Sequence, residues 1–187
     1  MTTPVTVSGR DLRVLAAIVS EDRPDLPDGK GLPLSLLADL MGQIRCDGIC
    51  FMGFDSGRHK TWVLQAMPAL EKDDLETGTD LDLAHWAHYW DSQPCSYPDR
   101  TGDVRSVLKI ADFYSARQYH STAMYTDRDR LLGAEHFLML CLPEAPQGTT
   151  ANPEHHVRLV LIRGPGPDFS DRDRAVLFPD RMVADRT

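Results

Sequence analysis

Four short apolar runs constrain this chain more than anything else in it: ICFMGF, TWVLQAM, HFLMLCL and HHVRLVLIRG. Each is short for a helix, dense in apolar side chains and bounded by polar or turn-forming residues, as a buried strand is. Asp55-Ser56-Gly57-Arg58 joins the first two as a hairpin turn, and PEAPQGTTANPE separates the last two as a loop. Between the pairs, VRSVLKIADF resembles another strand, ending near Asp112-Phe113. Two hairpins flanking a helical crossover predict an α/β (α+β) fold. Its centre is a mainly antiparallel sheet of about five or six strands, with helices on its faces.

The remaining segments read as those helices and their connections. Ser8 caps a helix over Asp11–Val19, EDRPDLPDGKGLP is a loop, and Pro33 opens a helix over LSLLADLMGQI. EKDDLETGTDLD reads as an exposed loop, LDLAHWAHYW as a helix that stops before Pro94, and Tyr114 to Leu132 as one or two helices. Ser170 caps a last helix over DRDRAVLF, with Asp171 and Asp173 in its first turn. The 187 residues suit one domain over 1–187, with a core from about residue 8 to residue 177. No internal repeat, GxGxxG, P-loop or GxSxG motif is present.

Charge narrows the partners. A formal net charge of −8 and scarce lysine argue against a phosphate-tracking surface. Asp127-Arg128-Asp129-Arg130 and Asp171-Arg172-Asp173-Arg174 alternate in sign and read as solvated, self-paired surface. No window approaches the roughly 18 apolar residues of a membrane span, and MTTPVTVSGRDLR lacks the pattern of a secretory signal. The expected location is cytoplasmic. Cys46, Cys50, Cys95 and Cys141 lack paired zinc-ligand spacing, and thiols are the expected state in that compartment.

Two ring-rich segments carry the candidate chemistry. In HWAHYWDSQPCSYPDRTGDVR, His85, His88 and Tyr89 fall at i, i+3 and i+4, with Trp86 and Trp90 on the neighbouring stripe. That face is either a pocket wall or core, and core is the simpler reading for the two indoles. His85 and His88, joined by Cys95 or His120, are metal candidates, set against the more ordinary state of partly exposed polar residues. Cys95, in a turn near Arg100, is either an activated thiol or an inert one. Arg100 or Arg105 could meet an anionic ligand, although a solvated surface pair is the simpler state. The second segment, Tyr119-His120-Ser121-Thr122-Ala123-Met124-Tyr125, combines an imidazole, hydroxyls and a thioether, which suits either a mixed ligand or a plain amphipathic helix. His155-His156 opens a strand after a loop and reads as exposed.

The segments LLADLMGQIRCDGICFMGFDSG, HWAHYWDSQPCSYPDRTGDVRSVLKIADFYSARQYHSTAMY, EHFLMLCLP and VRLVLIRGPGPDFSDRDRAVL occur in collinear order from about residue 32 to residue 177. Together they resemble the GAF-like N-terminal sensor domains of actinobacterial LuxR-type transcriptional regulators. That resemblance implies a small-molecule pocket roofed by the crossover around residues 119–125, and packing of terminal helices in a homodimer. It carries no DNA-binding domain, because the chain passes from Leu177 into FPDRMVADRT without helix-turn-helix positions.

The first expectation is therefore a small-molecule-binding sensor module with no direct nucleic-acid or membrane contact. Its ligand contacts would come from His88, Tyr89, Tyr97, Tyr119, His120 and Met124, converging in a crevice beside the sheet. The alternative is a stand-alone enzyme on the same scaffold, metal- or haem-dependent, drawing on His88, Cys95, Tyr97 and His120. A third reading is a structural protein that binds nothing small. No cofactor is specified by any motif.

Overall fold

The computed structural model describes residues 32–68, 78–103, 106–142 and 155–177. The expected helix over Asp11–Val19 with its Ser8 cap, the loops EDRPDLPDGKG and PEAPQGTTANPE, most of EKDDLETGTDLD and the tail FPDRMVADRT lie outside the described residues.

Helix α1 (Leu34–Ile44) follows Pro33 and ends at Arg45, which takes the left-handed conformation. Leu37, Leu40 and Ile44 recur at helical spacing and are buried. Strands β1 (Gly48–Asp55) and β2 (Lys60–Met67) form the expected hairpin, with Asp55 opposite Lys60 and a bulge between Gly53 and Phe54. Next come α2 (Asp80–His88), α3 (Gln93–Thr101) and the short β3 (Val107–Lys109), which runs into a single 3-10 turn over Ile110–Asp112. The crossover continues as α4 (Ala116–His120) and a π-helical turn at Tyr125–Asp129. The chain then forms β4 (His136–Leu142), β5 (His155–Arg163) and α5 (Asp171–Leu177).

Among the described residues five strands make one sheet in the order β2-β1-β5-β4-β3, antiparallel at every pairing. Successive side chains on a strand point to opposite faces, so register sorts the apolar residues into two layers. On one face Ile49, Phe51, Leu138, Leu140, Leu159 and Leu161 pack with α1 and with Phe169, Val176 and Leu177 from the C-terminal segment. On the other, Cys50, Met139 and Val160 meet the crossover through Ile110, Tyr119 and Tyr125. Both faces are covered, which is why the strands read as nearly unbroken apolar runs rather than as alternating ones. Ser170 and Asp173 cap α5 reciprocally, as expected: the Ser170 Oγ accepts from the Asp173 amide, and the Asp173 carboxylate accepts from the Ser170 amide.

The ring-rich segment holds two helices: α2 stops at His88, before Pro94 as expected, and α3 follows it. Proline has no N–H to donate, which suits it to the first turn of a helix, and Pro94 stands in the first turn of α3. Cys95 consequently lies on α3 and not in a turn, and Gly102 closes that helix in the left-handed conformation. The strand expected from VRSVLKIADF contracts to Val107–Lys109, because the Asp112 carboxylate accepts from the Lys109 amide and pulls the following residues into the 3-10 turn.

Candidate functional site

Between the sheet and the crossover lies a cavity of about 280 Å³. Its floor is the period-2 set of the inner strands: Cys50, Met52 and Phe54 of β1, Phe137 and Met139 of β4, and Arg158, Val160 and Ile162 of β5. Leu81, Asp82 and His85 of α2, Cys95 of α3, Ile110, Arg128 and Leu132 enclose it from above. From Gly48 to Phe54 the floor follows six residue steps of β1, roughly 20 Å at the usual strand rise. The cavity is therefore long and mainly apolar. Asp47 marks one end, and Thr61 and Asp82 the other.

The polar residues of its interior are few, and each is held in a distinct way. Arg158 is almost completely buried, 2% exposed, in the middle of an otherwise apolar face. Its Nη2 donates to the Tyr89 hydroxyl at 2.6 Å and to the Cys95 carbonyl at 2.7 Å, while Nε donates to His156 Nε2 at 2.9 Å. The guanidinium also lies over the Phe54 ring, 4.6 Å from its centroid. The charge is balanced one step away: the Tyr89 hydroxyl donates to the Asp99 carboxylate, which also accepts from Ser56 Oγ at 3.1 Å and sits 3.7 Å from His156 Nδ1. A buried cation is tolerated only with such partners.

Arg128 reaches the cavity from the π-helical turn. Its Nη1 donates to Asp129 Oδ1 at 2.7 Å, and Asp129 Oδ2 accepts from the Tyr119 hydroxyl at 2.7 Å. Asp129 itself is 3% exposed, and burial raises its carboxyl pKa above the ordinary range against the opposing pull of Arg128 and Tyr119. The wider helical turn places consecutive residues to opposite purposes, Arg128 toward the cavity and Asp129 into the core.

His85 is the third polar residue between the cavity's two ends. It is buried, and neither ring nitrogen has a hydrogen-bond partner. Burial first, and then the nearby charges of Arg128 and Arg158, hold its pKa well below the ordinary histidine value, so the imidazole is neutral. Its ring packs against Phe54 at 5.4 Å and Tyr89 at 5.5 Å. Leaving a buried polar group unpaired costs about 1–3 kcal/mol, so an occupant that bonded this ring would recover some of that.

Cys95 is half-buried at the cavity wall, and burial raises its pKa, which keeps it a thiol and a poor nucleophile. Burial likewise pushes Cys50 up to about 11. All four cysteines are free. Among the described residues no three His, Cys, Asp or Glu side chains come together as a metal site. His85 and His88, one turn apart, diverge: His85 faces the cavity, while His88 Nε2 meets Asp127 Oδ2 at 2.8 Å outside it.

The six residues expected to converge on a ligand are not brought together in the cavity wall. Tyr89 is fully buried behind the wall and acts on it through Arg158. Tyr119 is likewise one residue removed, behind Arg128 through Asp129. Tyr97 packs against Phe113 and reaches Asp103 at 3.3 Å, Met124 is buried in the crossover, and His120, nearly half exposed, pairs with Glu135 at 2.6 Å. For the same reason His88, Cys95, Tyr97 and His120 do not form one constellation. Trp86 is core, as expected, but Trp90 is 42% exposed. His156, read from sequence as exposed, is 2% exposed. Its position two residues before Arg158 puts it on the same covered face of β5.

Arg128 and Arg158 are what sequence reasoning missed. Arg128 sits in an alternating charge run that reads as surface, and only the π turn brings it, half-buried, to the cavity wall. The signal for Arg158 was present: a cation ahead of the apolar run LVLI in HHVRLVLIRG, in phase with Val160 and Ile162. Arg100, considered for an anion, instead bonds Ser96 Oγ at 2.9 Å and the Trp90 carbonyl.

The class that emerges is an α+β domain whose antiparallel sheet and helical crossover enclose a ligand-sized space. No family model matches the sequence, and no curated protein matches it. Among solved structures the chain is similar to the LBD domain of VqsR from Pseudomonas aeruginosa, with a TM-score of 0.54 and 15% sequence identity. That similarity covers 94% of this chain and 89% of the other. At this identity it shows a shared fold.

Proposed function

We propose that this chain is a small-molecule-binding sensor domain, the GAF-like ligand module of a LuxR-type regulator. The observation that carries the reading is the cavity: a mainly apolar floor, helices over it, and a buried His85 whose two nitrogens have no partner among the described residues. The fold shared with the LBD domain of VqsR supports the regulatory class, and the collinear segments quoted above support the actinobacterial branch. The module is proposed to be one cytoplasmic domain. No helix among the described residues is long and apolar enough to cross a membrane, and the four free thiols suit a reducing compartment. Occupancy would order the crossover against the sheet and so shift a contact with a second copy or with another domain. Of the residues singled out by sequence, Tyr89 and Tyr119 contribute by holding Arg158 and Arg128 at the cavity wall.

The test uses the methionines that line the cavity as reporters. Met52 and Met139 lie on its wall, whereas Met41 and Met67 pack with the cluster on the opposite face of the sheet and Met124 in the crossover. With methyl-labelled methionine, a screen of small organic fragments is expected to move the signals of the two wall residues and leave Met41 in place. Hits that move neither of the two, or a screen without hits, would remove the sensor reading.

A further inference from the structure

We infer that the cavity takes a small apolar carboxylic acid, its carboxylate held by Arg128, Arg158 and His85 and its hydrocarbon body laid along the strand floor toward Phe137. The inference rests on the cavity being a ligand site and adds the chemical class of the ligand.

Three observations point to an acid. First, the interior polar groups are two permanent cations and one neutral ring, and the two aspartates that balance the cations lie behind them. Asp129 and Asp99 are not wall residues, and their oxygens are already engaged by Arg128 and Tyr119, and by Tyr89 and Ser56. The wall acids, Asp47 and Asp82, stand at the two ends of the cavity, and each accepts a backbone amide there, from Gly164 and Gly78. Between those ends the charged side chains that face the cavity are the two guanidinium groups. Second, the polar groups gather at one end of the floor. Arg158 and His85 both pack on the Phe54 ring, and the floor toward Gly48 is Cys50, Met52, Val160 and Ile162, with no charged side chain. An occupant matching this wall is charged at one end and apolar along the rest.

Third, size sets a scale. A cavity of about 280 Å³ admits an acid of medium chain length, and octanoate serves as its probe. Burying a carboxylate is expensive unless charge-assisted hydrogen bonds replace its water. Two guanidinium groups supply those bonds in the strongest form available to a protein, and the neutral imidazole adds one N–H donor. The remaining imidazole nitrogen can accept from a water carried in with the acid.

Isothermal titration calorimetry of the intact chain with octanoate and with octanol, equal in tail and different in head, tests the class. Octanoate is expected to bind about tenfold more tightly or better, the least that one charge-assisted hydrogen bond is worth. Arg128→Met should weaken octanoate about tenfold while leaving octanol within about twofold. Arg128→Lys, which keeps a charge without the planar fork, should fall between. Ala66→Phe, on the wall of β2, should abolish both. Octanol binding as tightly as octanoate would overturn the acid while leaving the pocket intact. Octanoate binding that survives Ala66→Phe would place the site elsewhere and overturn it as well. If neither compound binds, the acid class is wrong, and the methionine screen separately decides whether the cavity is a site. The wild-type comparison of acid and alcohol holds even if an arginine variant fails to fold.

Discussion

Tyr89→Phe removes a single oxygen from the most interconnected point of the molecule. The hydroxyl accepts from Arg158 Nη2 at 2.6 Å and donates to Asp99, so one atom links a buried cation to its nearest carboxylate. Phenylalanine preserves the ring contacts with Trp86 at 5.1 Å, Trp90 at 5.3 Å and His85 at 5.5 Å, so no cavity term enters. Hydrogen bonds to charged groups are worth about 1.5–3 kcal/mol each. Two are lost, and Asp99 keeps Ser56 and the nearby His156 as partial compensation. A loss of about 2–4 kcal/mol is expected, a large share of the 5–15 kcal/mol typical of a domain. Urea unfolding followed by far-UV circular dichroism should show the midpoint falling by about 1–2 M at unchanged slope. Tyr97→Phe, which breaks only a 3.3 Å contact with Asp103, serves as the control and should stay within about 1 kcal/mol. If Tyr89→Phe is no worse than that control, the hydroxyl is not the bridge that balances Arg158, and the account of how the cavity tolerates a buried cation fails.

Other expectations follow from the same geometry. Because His85 is held neutral, its folded pKa lies below its unfolded one. The unfolded chain therefore binds the extra proton, and stability contributed by this residue is present above pH about 6.5 and lost as pH falls, at up to about 1.4 kcal/mol per pH unit. His85→Phe should flatten the stability profile between pH 7 and pH 5 relative to wild type, and identical slopes in the two proteins would refute the assignment. Ala66→Phe should cost within about 1 kcal/mol in thermal denaturation, since the added ring enters open space. A penalty of about 3 kcal/mol, typical of overpacking, would mean that the space is not there. With a net charge of −8, the chain should give no sequence-specific, salt-sensitive shift of duplex DNA in a gel.

The sheet was legible in the sequence because its two faces are both covered, so each strand announces itself as an apolar run between turn signals. The hairpin at Asp55–Lys60, the cap at Ser170 and the helix after Pro33 were legible for a similar reason, since each depends on chemistry within a few residues. Pro94 was ambiguous. The same missing N–H that ends one helix suits the first turn of the next, and nothing local distinguishes the two. The candidate site was the least legible part. Rings at helical spacing mark a covered face, but which of them reaches a cavity depends on how α2, the π turn and β5 meet, and those contacts join residues far apart in the chain. Tyr89 meets Arg158 across 69 positions, and Arg128 turns inward only because the helix widens at Tyr125–Asp129. Hydrophobic patterning is decided residue by residue along a strand or helix. The pairing of buried charges is decided in three dimensions, and there the tertiary structure replaced a set of exposed-looking histidines with two arginines and an unpartnered imidazole.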